Sequence, residues 1–161
     1  MRYDVVIIGA GAAGFACALT LGSANDKFDW AKDKKYLILN DNKSDLNVGK
    51  YFNVAGVDSG INGVDLLLKM KKQLEIYKDV ELKNEKATKI ENLGEYFKIT
   101  TDSSTFEASI IVLATGLHKF DIECEGVNVK DNIFVPKPNN IYLENSNNLI
   151  SKNLYVAGLA S

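Results

Sequence analysis

Cysteine, proline, histidine and tryptophan are scarce in these 161 residues, at two, two, one and one. The cysteines, Cys17 and Cys124, lie far apart with no CxxC spacing. That argues against a dithiol redox centre or a zinc site and fits a reducing, cytoplasmic setting. The lone histidine, His118, leaves no imidazole cluster for a metal. A large excess of charge of one sign is missing too. With a net charge of −2, no basic footprint invites nucleic acid. From Val5 to Asn25 there is no charge at all, which superficially suits a signal peptide or a membrane span. Gly9, Gly11 and Gly14 interrupt that run and would weaken a continuous helix, and Asp4 dilutes the positive start, so no membrane segment is expected.

The glycine spacing has a better explanation. "YDVVIIG" is a β-branched run suited to a strand buried on both faces, "GAGAAG" satisfies GxGxxG, and "FACALTLGSA" follows as a helix. Gly9 permits a tight turn, Gly11 lets a pyrophosphate approach the backbone, and Gly14 lets the helix press on the strand. Ala12 and Ala13 then begin a helix whose N–H groups and partial positive charge face the phosphates. The motif lies directly between a strand and a helix, the context it requires. A second parallel strand is expected in "KKYLILND". Asn40 falls nearest the position of a ribose-binding side chain and Asp41 one step beyond, and both equally suit the punctuation of a turn.

Residues 42 to 63 read as irregular, and "VDLLLKMKKQLEIY" as an amphipathic helix with Met70 and Tyr77 as packing residues. "DVELKNE" suits a third strand. "KATKIEN", "EYFKITTD" and "STFEASIIVLATG" alternate and turn at Asn92-Leu93-Gly94 and Asp102-Ser103-Ser104, which predicts a three-stranded antiparallel meander. Pro136 and Pro138 mark a return segment that leads to a last strand at "NLYVAG". The expected fold is a single α/β domain over 1–161, Rossmann-like, with a central parallel sheet, one helical layer and the meander on the other face. The last strand is expected beside the first, bringing Gly158 close to Gly11.

Taken together, "DVVIIGAGAAG", "YLILN", "FNVAG", "IIVLATG" and "NLYVAG" resemble, in order, the FAD-binding half of the thioredoxin-reductase-like pyridine nucleotide–disulfide oxidoreductases. The resemblance implies non-covalent FAD binding. It adds Asn53, Ala87, Ala114, Thr115, Gly116, Gly158 and Leu159 to the glycine turn and to Asn40 and Asp41 as cofactor-binding candidates. It also implies features that are missing here. There is no second GxGxxG for an NAD(P)H domain, no redox CxxC, and Ala55 replaces a proline. Leu159 stands where the family carries an aspartate, and only Ala160 and Ser161 follow in place of a helix. Losing a charge-assisted bond of that kind costs about 1.5–3 kcal/mol. A longer native chain, a partner that completes the site, or weaker binding are the three readings.

The expected function is therefore that of a small oxidoreductase-like flavoprotein exchanging electrons through a protein partner or within a homo-oligomer. The alternatives are an oxidoreductase holding NAD(P) at the same glycine turn, and a degenerate nucleotide-binding module serving in an assembly. His118 follows the ATG turn and is the one candidate for proton transfer, a surface loop position being the plainer reading.

Overall fold

A computed structural model of the chain describes residues 1–132 and 138–161. Pro136 of the return segment lies outside the described residues. Strand β1 (Arg2–Ile8) leads through the glycine turn into α1 (Ala12–Asn25) and then β2 (Tyr36–Leu39). A 3-10 turn over Asp45–Val48 and a short ladder of β3 (Lys50–Tyr51) with β4 (Ile61–Asn62) precede α2 (Gly63–Leu74). Asn62 caps α2 by accepting from the Asp65 N–H at 2.9 Å. The chain continues through β5 (Val80–Lys83), β6 (Ala87–Asn92), β7 (Phe97–Thr101) and β8 (Thr105–Leu113). It then forms β9 (Glu123–Cys124), β10 (Val129–Asp131), β11 (Ile141–Leu143), β12 (Leu149–Ser151) and β13 (Leu154–Val156).

The parallel part of the sheet runs β5-β2-β1-β8-β13. The last strand therefore lies beside β8, not beside β1 as the sequence suggests. The reason is edge availability. Both edges of β1 are taken, by β2 at Val5↔Tyr36 and by β8 at Val5↔Ile110. Along β8, antiparallel pairing with β7 extends only from Thr100↔Thr105 to Phe97↔Ala108. The rest of that edge is free, and β13 occupies it from Leu154↔Ile111 to Val156↔Leu113. One long strand thus serves both as the third strand of the meander and as a member of the parallel sheet.

Side-chain alternation along the central strands supplies two cores. Val5, Ile7, Tyr36 and Ile38 cluster with Phe15, Ala18 and Leu74 of the helical layer, with Met70 packed against the same group. Val6, Ile8, Leu37 and Leu39 share the opposite cluster with Ile90, Phe97 and Ile99 of the meander and with Leu143, Leu154 and Val156. Because β1 and β2 are covered on both faces, their sequences read as continuous apolar runs. Among the described residues, no helix is long and apolar enough to cross a membrane.

Candidate functional site

Four strand ends, those of β2, β1, β8 and β13, are tied at one edge of the sheet by three bonds. The Gly9 N–H donates to Leu39 O at 2.9 Å, that of Ala114 to Ile8 O at 2.8 Å, and that of Ala157 to Leu113 O at 2.8 Å. Beyond these carboxyl ends lies a cleft of about 420 Å³. This is the edge at which open α/β sheets bind ligands.

The floor of the cleft is the start of α1. Gly11 is its N-cap, without a side-chain capping bond, and the first turn carries no acidic residue. The first N–H groups of α1 thus have no capping acceptor from the cap residue, an arrangement that favours an anion. The glycines differ in what they face. A Cβ on Gly14 would lie 1.8 Å from the Gly9 carbonyl oxygen, so only glycine lets the helix close on the strand. A Cβ on Gly11 would meet nothing nearer than Ser44 Oγ at 3.3 Å and would enter the open cleft.

Gly9, Gly11, Ala12 and Ala13 line the cleft together with Asn40, Asp41 and Ala87. Ala114, Thr115, Gly116, Gly158 and Leu159 complete the lining from the ends of β8 and β13, and His118 stands on the same wall. Although β13 is not adjacent to β1, Gly158 still reaches the glycine turn, where a Cβ on it would come within 2.8 Å of Ala13 Cβ. Gly14 is buried beneath the cleft rather than lining it. Asn53 is exposed and is not among the residues that line the cleft.

Polar groups in the cleft have specific assignments. Thr115 Oγ1 is buried with no hydrogen-bond partner among the described residues. A buried hydroxyl left unpaired costs about 1–3 kcal/mol, so a polar ligand atom at this point would be stabilising. The side chains of Asn40 and Asp41 hold their own turn. Asn40 Oδ1 accepts from the Asn42 N–H at 2.9 Å, and Asp41 Oδ1 accepts from the Lys43 N–H at 3.0 Å. His118 Nε2 lies 3.4 Å from Asp45 Oδ2, across the mouth between the loop after β8 and the 3-10 turn. Both of those side chains are exposed.

Sequence reasoning missed Ser44, Asp45, Glu85, Lys86, Lys119 and Asp121, which also line the cleft. Glu85 and Lys86 had a usable signal, since they follow the third parallel strand and so reach the same sheet edge. Ser44 had another, a capping hydroxyl that accepts from the Leu46 N–H at 3.3 Å. Asp121 stands 2.5 Å from Lys119 Nζ, and this bond holds its carboxyl below the usual range.

Neither cysteine is an activated thiol. Burial pushes the Cys124 thiol up to about 11, and burial also raises that of Cys17. Removal from water is the cause at both positions.

Comparisons with known proteins bear on the family and the fold. The family model described as pyridine nucleotide-disulphide oxidoreductase matches residues 3–158. A curated thioredoxin reductase of Treponema pallidum (strain Nichols) is 31% identical over 114 residues, covering 71% of this chain and 35% of the relative. The thioredoxin reductase structure from Lactococcus lactis is 32% identical with a TM-score of 0.61, covering 77% of this chain and 39% of that one. That from Gloeobacter violaceus is 27% identical with a TM-score of 0.64, covering 74% and 38%. The chain thus spans well under half the length of these relatives.

Proposed function

The chain belongs to the pyridine nucleotide–disulphide oxidoreductase family, and on that premise we propose that its cleft binds FAD non-covalently and that a protein partner exchanges electrons with it. The observation that carries the reading is the uncapped start of α1 at Gly11, open to a diphosphate. The residues present fit the cofactor. Backbone N–H groups of the first turn would hold the diphosphate, and the Asn40–Asp41 loop would lie beside the adenosine ribose. The buried Thr115 hydroxyl supplies a hydrogen bond that the protein leaves unmade.

When bound, FAD supplies a ring that accepts and returns one or two electrons. The residues of this chain bind and orient. Gly116 and Gly158, both with positive φ, let the ends of β8 and β13 turn with backbone exposed to the cleft. Leu159 adds an apolar surface, 65% exposed, at the cleft wall in place of a charged side chain.

Hydride transfer from a nicotinamide needs that ring held against the flavin in near-attack geometry, because positioning supplies much of the rate. These 161 residues hold one GxGxxG, and the proposal assigns it to FAD. The FAD-loaded chain alone is therefore expected to bleach slowly and without saturation when mixed anaerobically with NADH or NADPH, while dithionite reduces it fully. Stopped-flow absorbance checks this, and rapid, saturable bleaching by NADPH would contradict the partner-dependent reading.

A further inference from the structure

His118 is the only histidine in the chain, and the structure sets it among the charges of the cleft. Its Nε2 end is turned to Asp45 Oδ2 at 3.4 Å. The same carboxylate oxygen lies 3.7 Å from where a Cβ on Gly116 would stand, so Asp45 reaches the loop after β8 at two points. Asp41, Glu85 and Asp121 add further carboxylates to the lining. Of the lysines there, Lys119 and Lys86 are both committed to Asp121, at 2.5 and 3.7 Å. Lys43 is the lining lysine that makes no ion pair among the described residues. While the imidazole is neutral, the lining therefore carries more negative than positive charge.

FAD brings a doubly charged diphosphate that does not titrate between pH 6 and 8. An imidazole is the side chain whose charge changes in that range. The other group of that range, an α-amino terminus, belongs to Met1 at the start of β1, the opposite edge of the sheet from the cleft. Burial keeps both thiols above it. A proton gained by His118 turns its contact with Asp45 into an ion pair and leaves Nδ1 as a donor without a hydrogen-bond partner among the described residues. We infer that His118 takes up a proton when the cleft takes up its dinucleotide, so that FAD binds more tightly as the pH falls from 8 to 6, with Asp45 presenting the ring. The sign follows from linkage. A bound anion favours the charged imidazole, and the charged imidazole favours the anion by the same factor. The inference rests on the dinucleotide reading of the cleft and adds a proton-dependent contact to it.

The test is calorimetric titration of the full chain with FAD at pH 6, 7 and 8 and constant ionic strength. Repeating it at pH 7 in two buffers of different ionisation enthalpy counts the protons exchanged. The expected result is a dissociation constant lower at pH 6 than at pH 8 by about twofold or more, with net proton uptake at pH 7. His118→Gln keeps a polar side chain at an exposed position and should abolish both effects. Asp45→Asn should move the rise in affinity to lower pH, because it removes the carboxylate that favours the charged ring. Saturable FAD binding without net proton uptake, or with constants that differ by less than about twofold, overturns the inference and leaves the dinucleotide reading intact. So does a pH dependence that His118→Gln leaves unchanged. If FAD binds at no pH, the dinucleotide reading fails and the inference fails with it.

Discussion

Gly11→Val is expected to abolish FAD retention while leaving the thermal midpoint of the domain nearly unchanged. The backbone at Gly11 has φ −85° and ψ −163°, an extended conformation open to any residue. The new Cβ would find only Ser44 Oγ within reach, at 3.3 Å, so the folded chain accommodates it. The isopropyl group would instead occupy the space in which a diphosphate must approach the first N–H groups of α1. Charge-assisted bonds to those groups contribute about 1.5–3 kcal/mol each. Losing two of them weakens binding by about a hundredfold or more. Fluorescence titration with FAD, run beside calorimetric melting, separates the two effects. A variant that keeps a full complement of flavin would show that the diphosphate lies elsewhere.

Gly14→Ala should do the reverse and strike the fold. Its Cβ would sit 1.8 Å from the Gly9 carbonyl oxygen, a backbone atom with little freedom to retreat. Gly9 is held at φ +107° and tied through its N–H to Leu39 O at 2.9 Å. Relief requires α1 to lift from β1, separating Phe15 and Ala18 from Val5 and Ile7. The expected loss is about 3 kcal/mol or more, or a midpoint lower by about 10 °C in a chain of this size. A midpoint within about 2 °C of the unaltered chain would mean that the glycine turn is not packed as described. The two substitutions lie three residues apart and separate binding from stability.

Much of this was legible in the sequence because the deciding interactions are local. A β-branched run, a glycine turn and an apolar helix specify strand, turn and helix with little help from the rest of the chain, and the turn residues Asn92 to Gly94 announce the hairpin between β6 and β7. The place of β13 was less visible. It depends on how much of β8 remains unpaired beyond Phe97↔Ala108, where its pairing with β7 stops, a matter of relative strand length that no motif records. The walls of the cleft divide in the same way. Strand ends and glycines signal themselves, whereas Asp45 and Asp121 enter from loops whose course is set by tertiary packing. Asn53 was proposed from a short resembling stretch alone, and it is not among the residues that line the cleft. Cys124 carries a further lesson. Burial against the meander raises its thiol, and that burial is a tertiary property that no local motif records.

The central claim is that the cleft at the start of α1 holds the adenosine diphosphate part of FAD. Its most direct measurement is an equilibrium titration of the purified chain with FAD and, in parallel, with riboflavin, which shares the ring but lacks the diphosphate and adenosine. The account predicts saturable binding of one FAD per chain and no saturable binding of riboflavin over the same range. Equal binding of the two, or no saturable binding of FAD, would contradict it.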